Sequence, residues 1–342
     1  MYVILIKNIL IYSKKILVCG AGGFIGGHLV SQLLSMNNSI VCVDLKPKEL
    51  WFQYFEECEN YSLDLKEYEN CLKVSKNIDY VFNMACNMGG MGFIENNKAE
   101  CMLSVLVNTN LLRASLINNV ERYFFSSSAC AYNISKQNNT FIEGLKEEDA
   151  YPAMPEDGYG WEKLFSERMC RHFTEDFNLE TRVARYHNIY GPFGTYDGGR
   201  EKAPAALSRK ISNAKINKLP SIDVWGDGEQ TRTFAYIDDC INGTLKLFLS
   251  NHNDPINIGS SEQVSINQMI DIIEGIAEYK VEKNYQLNKP LGVRGRSSNN
   301  DKINKILSWE PQISLKEGLT KTYSWIFNQL NSSDNSNKFT KF

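Results

Sequence analysis

Three consecutive serines, Ser126, Ser127 and Ser128, close an aromatic-rich run, and Cys130 follows two residues later. Hydroxyls at the end of an apolar run can hold a reacting oxygen. A thiol, with a free pKa of about 8.5, can move protons near neutrality. Tyr159 and Lys163 stand four apart in GYGWEKLFSERMCRHF, a segment of helical character. Residues so spaced share one helix face, where an ammonium stabilises a phenolate and is expected to lower the tyrosine's pKa towards that of a general base. A lone Tyr-x-x-x-Lys is common on solvated helix faces, and a lone cysteine is commonly a small buried hydrophobe. Their neighbours in the chain set these residues apart.

The first of those neighbours is the stretch KILVCGAGGFIGGHLVSQLLS, which reads as strand, glycine turn and helix. Gly20 suits the tight turn, Gly23 the close approach of a pyrophosphate, and Gly26 the packing of helix on strand. Backbone N–H groups at the helix start, around Phe24 and Ile25, suit a diphosphate. Asp44 ends the next apolar run, where a carboxylate accepts ribose hydroxyls and repels a 2′-phosphate, so NAD is expected over NADP.

Positioning these groups requires a sheet. Short apolar runs at 40–45, 80–86, 122–129, 182–191 and 255–260 alternate with helix-like segments. The expected fold is α/β: a Rossmann-type doubly wound parallel sheet with a smaller C-terminal α/β substrate-binding cap. The nucleotide-binding part is expected over 14–191 plus about 236–260, and the cap over 192–235 and 261–330, facing the carboxyl ends of the strands. Residues 1–13 are apolar but interrupted by Lys7 and too short to span a bilayer; they read as an irregular extension, and 331–342 as a disordered tail. A net charge of −3 gives no reason to expect nucleic acid as a partner. Nine cysteines without a C-x-x-C pair point to reduced thiols in the cytoplasm, and the four histidines lack metal-ligand spacing, His187 included.

The hydroxyl, tyrosine and lysine set behind a dinucleotide fingerprint resembles the extended short-chain dehydrogenase/reductase superfamily, the NAD-dependent epimerase/dehydratases of nucleotide sugars. Within it, NMGGMGF (87–93), RYHNIYGPFGTYDGGREKAPAA (185–206), WGDGEQTRTF (225–234), SSAC and GVRGR are similar to the GDP-mannose 3,5-epimerase family. The resemblance runs from about 15 to about 328. It implies that Tyr159, with Lys163 and Ser128, handles the C4 hydroxyl proton beside bound NAD. It also implies that Cys130 and Lys202 invert C3 and C5 from opposite ring faces, and that Arg296 grips the diphosphate, with Arg294, Gln230 and Arg232 as weaker candidates. Gly89, Asn188, Glu201, Ala203 and Lys210 match substrate-contact positions, and Asp64 matches an adenine contact that reads equally as a helix cap. A GDP-sugar substrate and a homodimer built through the helices beside Tyr159 come with the resemblance. Asn133, Gly158 and Trp161 depart from the family pattern. A 4-epimerase would not call for Cys130 with Lys202, a dehydratase wants a carboxylate beside the serine, and a non-catalytic NAD-binding scaffold would have no need of Tyr159 or Lys163.

Overall fold

The computed structural model of the chain describes residues 11–290, 292–332 and 337–340. Its centre is a parallel sheet of seven strands. Strands β1 (Lys15–Cys19), β2 (Ser39–Asp44), β3 (Glu59–Ser62), β4 (Tyr80–Asn83), β5 (Arg122–Ser128) and β6 (Glu180–Tyr186) join a last strand, Ile256–Ile258, in the order 256–258, β6, β5, β4, β1, β2, β3. β1, β2 and β5 are near-continuous runs of buried residues, as expected for strands covered on both faces. One cluster of buried side chains, including Ile16, Val18, Phe82 and Phe124, packs one face. Another, including Leu17, Cys19, Val81 and Phe125, packs the other. The alternation follows from side chains pointing to opposite faces along each strand.

Strand order reverses at β1, which pairs with β2 on one side and β4 on the other. A crevice therefore opens at the carboxyl ends there, the place where open α/β sheets bind ligands. Helix α1 (Phe24–Ser35) leaves β1 through the glycine turn. It buries Gly26, Leu29, Val30 and Leu33, a stripe at helical spacing, and Asn37 just beyond its end takes φ +57. Tyr159–Phe177 forms a second long helix, stopped by left-handed Asn178. Gly158 precedes it at φ +70, a conformation side chains resist, which accounts for glycine there.

The C-terminal region is a smaller α/β assembly. Helices Ala203–Asn217, Ile266–Ala277 and Leu315–Asn331 pack on one another. Short strands Thr231–Thr233, Gln263–Ser265 and Gly295–Arg296 form one sheet, and Ser221–Trp225 with Glu282–Gln286 another.

Two expectations are corrected. The run 182–191 is not one strand: β6 ends at Tyr186 and a separate pair, Ile189–Tyr190, follows, because Asn188 between them turns the chain at φ +47. The tail is not wholly disordered, since Asn331 still belongs to the Leu315–Asn331 helix and residues 337–339 form a single helical turn. Phe339, only 3% exposed, packs against Phe52, Tyr196 and Trp325. Of the N-terminal extension, residues 1–10 lie outside the described residues, while Ile11 is buried in the core. No helix among the described residues is long and apolar enough to cross a membrane.

Candidate active site

A cavity of about 490 Å³ occupies the crevice. Gly20, Gly23, Phe24, Ile25 and Gly26 form one wall, Asp44 and Asp64 stand at one end, and Ser128, Tyr159 and Lys202 line it as well. The glycine turn is built for close approach. Gly20 has φ +77 and donates its N–H to Val43 O at 2.7 Å, while a Cβ on Gly26 would lie 2.1 Å from Gly20 O. A side chain at Gly26 would push the helix off the turn and close the cradle that a pyrophosphate needs.

Asp44 accepts the backbone N–H of Lys46 at 3.0 Å, and burial pushes its carboxyl up against the opposing pull of Lys46. Lys46 donates to Gly22 O at 2.7 Å and lines the same end of the cavity. The sequence reading passed over it, although Lys46 stands two residues after the fingerprint acid. Asp64 accepts from the backbone of Lys66 at 2.9 Å, a local turn bond that leaves it on the cavity wall.

Tyr159 opens its helix and Lys163 follows one turn later on the same face. Ser128, at the end of β5, lines the same cavity and acts on the phenol. The expected lowering of Tyr159 is not what the protein alone provides. Burial first, then Cys86, Cys130 and Glu162, push the phenol well above its usual range, and Ser128 offsets this in part. Lys163, 1% exposed, sits 5.4 Å from the Tyr159 ring centre and 4.6 Å from that of Phe125. Its Nζ is 3.4 Å from Glu162 Oε2, so a neighbouring carboxylate takes up much of the charge meant for the phenol. Behind the serines, Ser127 donates to Glu167, which pairs with Arg185 through bonds of 2.9 and 2.7 Å. Breaking such a buried pair by removing one partner costs about 3–5 kcal/mol, so this network anchors the end of β5.

Cys130 lies in the short turn after β5, 8% exposed, and packs in one cluster with Tyr159, Ile94 and Cys101. Its backbone N–H is held by Ser128 Oγ at 3.2 Å. The thiol is pushed up to about 11 by burial first and by Glu156 next, with Arg296 opposing. Lys202 caps the Ala203–Asn217 helix, and burial lowers its amine against the raising effect of a charge on Cys130. Tyr159 and Lys202 line the cavity, while Cys130 packs in one cluster with Tyr159 and lies off the cavity wall.

Arg296 lies off the cavity wall. Its fork is taken up by the protein: Nε donates to Gln137 at 2.7 Å, Nη2 to Glu156 at 2.7 Å and Nη1 to Cys130 Sγ at 3.5 Å. The remaining predicted contacts also lie off the cavity wall. Gly89 sits against Phe93 and Arg200; Asn188 donates to Thr233 O at 3.0 Å, Lys210 to Asp223 O at 2.7 Å and Gln230 to Trp225 O at 3.0 Å. Glu201 accepts from Gly199 at 2.7 Å, Ala203 begins its helix, and Arg232 donates to the backbone of Thr231 and Val293. Arg294 is paired with Asp227 at 2.8 Å. His187 is buried, bonded to Asn257 at 2.9 Å and held near pKa 3 by burial. Glu156 and Gln137 escaped the sequence reading because only the tertiary fold brings them to Cys130 and Arg296.

Residues 16–259 match the NAD dependent epimerase/dehydratase family. The chain belongs to that family. It is 46% identical over 317 residues to GDP-mannose 3,5-epimerase 1 of Oryza sativa subsp. indica, covering 92% of this chain and 82% of the relative. GDP-mannose 3,5-epimerase of Arabidopsis thaliana is 44% identical over 319 residues, covering 93% and 83%. Among solved structures, UDP-glucuronic acid 4-epimerase from Bacillus cereus, in complex with UDP-glucuronic acid and NAD, superposes with a TM-score of 0.78 at 27% identity, covering 92% of this chain and 99% of that one. As a member of the epimerase/dehydratase family the protein has an NAD-binding Rossmann fold, and its glycine cradle, with Asp44 at one end of the cavity, fits that dinucleotide. Gly26→Ala should therefore weaken NAD binding by about tenfold or more, about 1.4 kcal/mol, read by titration of NAD into the purified protein. Unchanged affinity would mean that the turn does not hold the pyrophosphate.

Proposed function

We propose that the protein is a GDP-mannose 3,5-epimerase, with NAD as its cofactor, Tyr159 as the acid/base at the C4 hydroxyl and Cys130 with Lys202 as the acid/base pair at C3 and C5. The observation that carries this reading is that Lys202 lines the same cavity as Tyr159, against which Cys130 packs. Relatives carrying that name at 46% and 44% identity lend it support.

Bound NAD supplies a reversible hydride acceptor for the C4 carbon. Tyr159 takes the C4 hydroxyl proton, held in place by Ser128, and Lys163 balances the phenolate from the same helix face. A carbonyl at C4 acidifies the C–H bonds on both sides. Lys202, lowered by burial, is suited to accept a carbon-bound proton, and Cys130, pushed up, to hold one and return it. Each C–H proton goes to a nitrogen or sulfur lone pair, and the carbon regains a proton from the opposite face, so configuration inverts without net oxidation. Asp44 and Asp64 stand ready for the adenosine end of NAD; Gly89, Asn188, Glu201, Ala203, Lys210, Gln230, Arg232 and Arg296 are the remaining candidates for the GDP-sugar.

A homodimer belongs to the same reading. Leu106 on the Ser104–Ile117 helix, Trp161 and Phe165 on the Tyr159–Phe177 helix it packs against, and nearby Met102 are exposed apolar side chains that a second copy would cover. Nine free cysteines suit a reducing, cytoplasmic setting.

Incubation of the protein with GDP-mannose in heavy water, followed by NMR of the sugar, tests the function. Deuterium at C3 and C5 with a new hexose is expected. Inversion at C4 without solvent deuterium would make it a 4-epimerase, and loss of water a dehydratase.

A further inference from the structure

Glu156 has no place in the reaction as described, yet it is a buried carboxylate, 8% exposed, three residues before the start of the Tyr159–Phe177 helix. Its backbone N–H donates to Cys130 O at 3.1 Å, and a Cβ on Gly160 would sit 2.3 Å from that same oxygen, so its loop is clamped against the Cys130 turn. Its Oε1 accepts Arg296 Nη2 at 2.7 Å, and the neighbouring Nη1 reaches Cys130 Sγ at 3.5 Å. Gln137 fixes the remaining edge of the guanidinium at 2.7 Å. Glu156 Oε2 is buried and takes no well-formed hydrogen bond among the described residues, which leaves a carboxylate oxygen for the thiol.

We propose that Glu156 is a positioning residue for Cys130, fixing Arg296 against the sulfur so that Cys130 enters the reaction as the proton donor. The inference rests on the acid/base role proposed above for Cys130 and assigns its direction. Lys202 takes the carbon-bound proton and becomes an ammonium. The S–H bond then breaks towards the opposite face of the carbon, the sulfur keeps the electron pair, and Arg296 already stands beside the resulting thiolate.

The electrostatics agree in sign. Burial and Glu156 raise the thiol; Arg296 and the Ser128 bond lower it. Burial alone would push Glu156 up, but Arg296, the Cys130 bond and Arg232 together hold it below the usual carboxylate range. Tyr159, Lys202 and Arg232 also feel the Cys130 charge, and Cys86 and Cys101 pack in the same cluster. Removing the Glu156 charge should therefore lower the thiol's midpoint, and removing the Arg296 charge should raise it.

The test is a thiolate absorbance titration of the NAD-loaded protein without substrate, taken as the difference from the matching Cys130→Ala background. Glu156→Gln is expected to bring the midpoint down by about one pH unit or more, so that the thiolate fraction near pH 8 rises about tenfold. Arg296→Gln is expected to move it up. Simple loosening of the site would relieve burial and move both midpoints down, so the opposed signs separate positioning from structural support. An unmoved midpoint in Glu156→Gln, or a downward move in Arg296→Gln, overturns the proposal; should Glu156→Gln not fold, the Arg296→Gln direction decides alone. Since no sugar is present, the result is independent of whether GDP-mannose proves to be the substrate.

Discussion

Replacing Tyr159 with phenylalanine should lower the rate of C4 oxidation by about 10²–10⁴-fold while leaving NAD affinity nearly unchanged. The side chain lines the cavity and is buried, so phenylalanine fills the same volume and keeps the helix start packed. What disappears is the hydroxyl that receives the sugar proton, and positioned general-base catalysis is worth about that range. The pH dependence gives a second readout. Burial, Cys86, Cys130 and Glu162 hold the phenol well above its ordinary value. Its base form therefore grows with rising pH, and the rate should climb with it; Tyr159→Phe should flatten that climb. Single-turnover formation of reduced nicotinamide, followed by absorbance across pH, measures both. A variant that keeps the parent rate would remove the phenol from the chemistry.

Cys130→Ala is expected to bind NAD and sugar nucleotide as the parent does, yet to lose inversion at C3 and C5 by about 10²–10⁴-fold, because Lys202 alone can return a proton only to the face it came from. The substitution deletes one sulfur. Arg296 retains Glu156 and Gln137, so the local ion pair survives. In the parent, inversion requires a neutral amine at Lys202 and a protonated thiol at Cys130. The amine is lowered by burial, so its base form appears as pH rises, and the thiol holds its proton until about 11. The rate of inversion should rise with pH as the amine loses its proton and decline near that upper value. NMR of the recovered sugar reads the configuration at each carbon, and undiminished inversion in Cys130→Ala would leave the thiol no role.

The parts of this site that could be read from the chain are those whose chemistry is local. The glycine cradle is written in consecutive residues because its requirements, a positive φ at Gly20 and no Cβ at Gly26, are met within one turn. Tyr159 and Lys163 were legible because helical spacing alone puts them on one face. Asp44 was legible because the end of β2 lies beside the β1 turn in any sheet of this order. The alternation of apolar runs determined the Rossmann-type sheet, since strands buried on both faces must be apolar nearly throughout.

Only the tertiary structure decided the surroundings of Cys130. Arg296 comes from a short strand 166 positions away, and it reaches the sulfur because Gly295–Arg296 pairs with Thr231–Thr233. That contact makes Arg296, expected on a diphosphate, a partner of Glu156 as well. The direction of the Tyr159 shift was equally hidden, because burial and the Glu162 carboxylate outweigh a lysine whose spacing suggested the opposite sign. The break at Asn188 and the burial of Phe339 depended likewise on long-range packing. Sequence determined which groups are present and which face of each element carries them; desolvation and charge pairing depend on what the fold packs against those faces, and no local pattern encodes that.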